Sequence, residues 1–97
     1  MLISLTSDDL DFKNMASEVV ATLVDFDLMR SDDRFNSEER AMAAESVARI
    51  VDNRLRQHGY DRIRFYGRLR LEGAELAATF VNSIFATIAE ERRTHHA

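Results

Sequence analysis

Apolar residues recur along this chain at three- and four-residue steps in three long runs. Phe12, Met15, Val19, Leu23 and Phe26 make the first run, and Val20 and Val24 widen it. Side chains at such steps share one face of a helix, so the pattern predicts a helix over about residues 7–30. Thr6 or Ser7 can accept from the free amides of its first turn. Asp8, Asp9 and Asp11 suit the positive end of its dipole.

After the polar stretch Ser31-Asp32-Asp33-Arg34-Phe35, Asn36 and Glu39 stand at the spacing of a capping box, with Phe35 placed to staple onto the first turn. A second helix is predicted over about residues 37–58, with Ala43, Val47, Ile50, Val51 and Leu55 on its inner face. Gly59 can take the left-handed conformation that stops a helix. Tyr60 beyond it can fold back on Leu55, as in a Schellman motif.

Between residues 60 and 71 the pattern changes period. Ile63, Phe65, Leu69 and Leu71 alternate with Arg62, Arg64, Arg68 and Arg70, which is a strand signal. A turn at Tyr66-Gly67-Arg68 would pair Phe65 with Leu69 and Ile63 with Leu71. Ile63, Tyr66 and Leu69 also fit a helical face. The alternation favours a short β-hairpin or irregular insert. A third long helix follows over about residues 73–92, with Ala77, Phe80, Val81, Ile84, Phe85 and Ile88 inward. Its other face, Thr79, Asn82, Ser83 and Ala86, is small and uncharged. A solvent-facing helix surface usually carries charge, so this face is expected to be covered, by the rest of the bundle or by a second copy of the chain. Beyond residue 92 the tail is expected to fray. The fold class expected is all-α: one domain of three helices with the insert between the second and third.

Composition adds limits. A chain of 97 residues is one domain. A domain of that size buries roughly 60–65% of its unfolded surface. No cysteine is present, so neither a disulfide nor a thiolate metal site can supplement the core. No proline interrupts the helices. Residues 1–5 carry no basic residue and no long apolar core, unlike a secretory signal, and the longest uncharged stretch, 76–89, is too short for a bilayer. The expected location is cytoplasmic, with no membrane contact.

The net charge of −4 conceals a split. Residues 1–46 hold 11 acidic and 4 basic side chains; residues 47–97 hold 6 acidic and 9 basic ones. Seven arginines lie between Arg49 and Arg70, interleaved with Tyr60, Phe65 and Tyr66. Guanidinium forks pair with carboxylate or phosphate at two points, and aromatic rings can stack on bases. Arg54, Arg56, Tyr60, Arg62, Arg64, Phe65, Tyr66, Arg68 and Arg70 are therefore the candidate partner-binding residues. The bland alternative is that these arginines bridge to the acidic half of the same fold. Thr79, Asn82, Ser83 and Ala86 are the candidates for self-association as a homodimer.

Other chemistry finds little support. Asp25, Asp27, Asp32 and Asp33 lack the glycine and late glutamate of a calcium loop, and Met29 and Arg30 stand at ligand steps. His95 and His96 near the chain end could join Glu91, and His58 suits the end of the second helix. No nucleophile–base pair, paired-carboxylate cleft or glycine-rich phosphate loop is recognisable. No metal, cofactor or catalytic residue is expected. The leading expectation is a non-enzymatic regulator, adaptor or inhibitor that acts through protein contacts. Small acidic binders encoded by phages or mobile elements, such as inhibitors of host defence complexes, share this composition. The alternatives are a nucleic-acid-associated protein using segment 49–70, or a small structural subunit of a larger assembly. Phosphate binding needs a net positive field, so an acidic protein partner fits an acidic chain better.

Overall fold

The computed structural model describes residues 7–96. It holds four helices among the described residues, and no strands: α1 (Ser7–Arg30), α2 (Ser37–Gln57), α3 (Arg62–Leu71) and α4 (Glu75–His96). The expected hairpin insert is thus a helix, and the expected three helices are four. The expectations for Thr6 and for residues 1–5 lie outside the described residues.

The apolar stripe expected for α1 and both ends expected for α2 are present at residue level. Phe12, Met15, Val19, Leu23 and Phe26 are all buried along α1. Asn36 caps α2: its side chain accepts from the amide of Glu39 at 2.8 Å, and the Glu39 carboxylate accepts from the amide of Asn36 at 3.0 Å. α2 stops in a Schellman motif. Gly59 has φ of 78°, its amide donates to Arg56 O at 3.0 Å, and the Tyr60 amide donates to Leu55 O at 2.9 Å.

α3 starts and stops by the same local devices. Asp61 is its N-cap, with the carboxylate accepting from the amide of Arg64 at 2.8 Å. Gly73 has φ of 79°, its amide donates to Arg70 O, and the Ala74 amide donates to Leu69 O, each at 3.0 Å. This second Schellman motif closes Leu69–Ala74 as the first closes Leu55–Tyr60. Helix geometry places Phe65 and Leu69 one turn apart on the buried face. It leaves Ile63 83% and Leu71 89% exposed. The alternation of apolar and charged residues misleads here because only the 65/69 pair faces the core.

Two inner faces also shift. α2 packs on Ala41, Ala44, Ala48, Val51 and Leu55, while Ile50 is exposed and Ala43 and Val47 are half-buried. Small alanines let neighbouring helices come close to α2. On α4 the buried row is Ala78, Val81, Ile84, Phe85 and Ile88, with Ala77 and Phe80 half-buried. α4 does not stop at 92. Arg92 is held by Glu45 at 2.6 Å, the Thr94 hydroxyl donates to Glu90 O at 2.9 Å, and the helix runs to His96.

α2 packs most extensively on α4, and α1 lies across both. Arg92 near the end of α4 meets Glu45 near the start of α2, so these two helices run antiparallel. Arg30 and Glu91 approach to 3.7 Å, so α1 and α4 end together. α3 packs on α4 and touches the end of α2. The result is elongated, 54 × 22 × 17 Å, with a Cα radius of gyration of 14.9 Å. A compact domain of about 100 residues has a radius near 13 Å. The core is one shallow apolar layer with no buried polar or charged residue among the described residues.

Because Gly59 and Gly73 sit at positive φ, Gly59→Ala and Gly73→Ala are each expected to cost about 1–2 kcal/mol. Thermal melts should fall by about 4–8 °C per kcal/mol for a domain of this size. An unchanged melting temperature in both variants would show that these glycines do not set the helix stops.

Candidate functional site

The arginine segment is divided by α3 into side chains that look inward and side chains that look out. Arg68 is the most engaged. Its guanidinium lies 4.2 Å from the centroid of the Phe12 ring. It donates to the Tyr60 hydroxyl, to Asp9 at 3.1 Å, to Glu72 at 3.2 Å and to Asp8 at 3.3 Å. One side chain, 21% exposed, thereby joins the first turn of α1, the α2–α3 turn and the cap of α3. Its hydrogen bond to Tyr60, and then those to Glu72 and Asp8, raise its pKa still further above the ordinary arginine value. Below it, Phe12 makes tilted contacts with Tyr60 and Phe65 at ring separations of 5.5 and 5.9 Å.

Arg62 is the second tie. It forks onto Asp52 at 2.8 and 3.1 Å and lies 4.6 Å from the Phe85 ring centroid. This fixes the start of α3 against the end of α2 and the middle of α4. Arg54 pairs with Glu18 of α1, and Arg70 pairs with Glu75 at 3.4 Å, also lying 5.8 Å from the Tyr66 ring centroid. The charge split of the sequence therefore has a geometric counterpart. Acidic residues of α1 and α2 face arginines of α2, α3 and α4.

Two arginines of the segment are left over. Arg56 and Arg64 have no carboxylate partner among the described residues. Arg64 lies 5.1 Å from the Tyr60 ring centroid and donates to Gly59 O. Both side chains are exposed near the corner where α2 ends and α3 begins, and Ile63 lines a groove there with Arg56. A shallow groove on the outer side of α3 is lined by Tyr60, Arg64, Gly67, Arg68, Leu71 and Glu72. Phe65 lies wholly in the core and acts by seating α3, not by touching a partner. Tyr60 and Tyr66 are half-buried against that core.

The outer face of α4 stands open. Thr79, Asn82, Ser83 and Ala86 are exposed, so the first of the two covers the sequence allowed, the bundle itself, is not supplied by the described residues. Leu76 on the first turn of α4 is 89% exposed. The acidic cluster does not converge: Asp32 turns to Arg34, whose side chain and amide hold the Asp32 carboxyl below its usual range. No group of three His, Cys, Asp or Glu side chains gathers around a metal-sized space among the described residues. No helix among the described residues is long and apolar enough to cross a membrane. The side chains of His95 and His96 lie outside the described set, and His58 is exposed at the end of α2.

Sequence reasoning located the segment but not its division. It missed α3, although the Leu-Arg-x-x-Gly pattern of 55–59 recurs at 69–73 and Asp61 is a good cap residue. It also missed the exposure of Ile63 and Leu71, which only a helix produces.

Replacing Arg68 by alanine removes hydrogen bonds to charged groups and a stacked guanidinium together, a cost of about 1–3 kcal/mol. Arg56→Ala is expected to stay within about 0.5 kcal/mol of the parent. Urea midpoints at constant m compare the two, and equal midpoints would overturn the division into inward and outward arginines. Comparison of the chain with protein-family models, with characterised sequences and with solved structures gave no match to any of them, so the functional reading rests on these residues.

Proposed function

We propose that this protein is a non-enzymatic regulator, adaptor or inhibitor that works by binding another protein, and that the corner formed by α2 and α3 receives a carboxylate-rich partner. The observation that carries this reading is a pair of exposed arginines without a carboxylate partner among the described residues, Arg56 and Arg64, near the exposed Ile63 in a chain of net charge −4. Charged groups at a contact rim steer a partner of opposite sign, and an apolar side chain between them supplies an anchor. Nucleic acid fits less well. Its affinity rests on neutralising many phosphates, and the neighbouring Arg54, Arg62, Arg68 and Arg70 already face carboxylates of the same chain.

The test is affinity capture from a lysate of the source organism, followed by mass spectrometry, with wild type and an Arg56→Glu/Arg64→Glu variant in parallel. Wild type is expected to recover an acidic protein reproducibly, and the variant to lose about tenfold or more of it while melting at the parental temperature. A gel shift of DNA or RNA at low salt, abolished by the same substitutions, would favour the nucleic-acid reading instead.

Self-association through the outer face of α4 is a second reading, favoured by Leu76 standing 89% exposed beside Thr79, Asn82, Ser83 and Ala86. Light scattering at micromolar concentration is expected to give the mass of two chains. The mass of one chain would refute it.

A further inference from the structure

We infer that the occupant of the outer face of α3 is an acidic helix that packs across Gly67, anchored by Ile63 and Leu71 and countered by Arg64. The inference rests on the acidic-partner reading above and names the shape of that partner. Ile63, Gly67 and Leu71 follow one another at four-residue steps along α3. Successive members are about 40° apart around the axis, and the three span about 12 Å along it. They make one stripe opposite the buried Phe65 and Leu69. Exposed apolar side chains are ordinary when scattered. Here two of the most exposed large apolar residues of the chain bracket a glycine on one short helix.

Gly67 itself has no cause within the chain. It does not adopt positive φ, and a Cβ built on it meets nothing within 4 Å. Glycine is the poorest helix former after proline, so its place in the middle of a ten-residue helix weakens α3 with no internal return. A small residue at the centre of a helix face lets a second backbone come close. The bare centre between two apolar shoulders is therefore a seat for another helix.

Charge selects the kind of helix. Arg64 and Arg70 flank the stripe. Arg70 is tied to Glu75, whereas Arg64 has no carboxylate partner among the described residues. Arg56, exposed and without a carboxylate partner among the described residues, lines a groove with Ile63 at the start of α3. A partner helix bearing carboxylates beside an apolar strip matches both features. An extended peptide would lack main-chain partners, because the described residues offer no sheet edge on which a strand could add.

The experiment displays three pools of 20-residue amphipathic helices against the purified full chain, one pool with acidic flanks, one with basic flanks and one with neutral polar flanks. A fluorescent DNA duplex is titrated alongside at low salt. The acidic pool is expected to enrich. Its best members should lose about tenfold or more in affinity for Gly67→Leu and for Arg64→Glu. Gly67→Ala should melt about 4 °C higher than the parent yet bind more weakly, which separates the seat from the fold. Equal binding to wild type and Gly67→Leu overturns the helical seat. If those same peptides are still lost with Arg56→Glu/Arg64→Glu, the acidic-partner reading survives that failure. Enrichment of the basic or neutral pool, or of none, also overturns the seat, and tighter binding of the DNA duplex than of any peptide overturns both.

Discussion

Arg68 over the ring of Phe12 is the contact that joins α3 to the first turns of α1. The two residues belong to helices far apart in sequence, and the ring beneath the guanidinium also touches Tyr60 and Phe65. Burial of Phe65 and Leu69 supplies most of the energy that docks α3, since about 25 cal/mol accrues for each Å² of apolar surface removed from water. The ion pairs around Arg68 are each weak because they are part-exposed. Together they fix which way α3 turns. With Phe65 and Arg68 inward, Ile63, Gly67 and Leu71 must face out.

The charge asymmetry follows from the same arrangement. The acidic half is not a free acidic surface, nor the basic half a free basic one. Glu18, Glu45, Asp8 and Asp9 meet Arg54, Arg92 and Arg68 across helix boundaries. Most of the positive charge that looked available for a partner is spent on joining helices. Of the arginines in segment 49–70, Arg56 and Arg64 remain without a carboxylate partner among the described residues, near the exposed Ile63. A small, shallow core leaves apolar surface uncovered on every helix, and the most exposed of it, Ile63, Leu71 and Leu76, lies on α3 and at the start of α4.

Much of this fold was legible in the sequence wherever a local signal had one reading. Asn36 with Glu39 can form a capping box, and Leu55 to Tyr60 can close a Schellman motif, from chemistry contained within a few residues. The α1 stripe is legible because its members are large and strictly spaced. Segment 61–71 was not, because Ile63, Phe65, Leu69 and Leu71 satisfy a two-residue period while Phe65 and Leu69 satisfy a helical one. The inner face of α2 was misplaced because alanine carries little hydrophobic signal, so Ile50 drew the stripe towards solvent. The site was legible as a segment and opaque as a surface. Arg68, for example, is paired with Asp8 and Asp9, about sixty residues away and in another helix.

The central claim is that α3 docks by one face and offers the other, and nuclear magnetic resonance tests it residue by residue. The ¹⁵N-labelled chain is titrated with an acidic amphipathic helical peptide, and amide shifts are mapped. The account expects the largest shifts at Ile63, Arg64, Gly67 and Leu71, with Arg56 and Tyr60 following and the outer residues of α1 unmoved. Shifts centred on α1 or α4, with α3 silent, would contradict it.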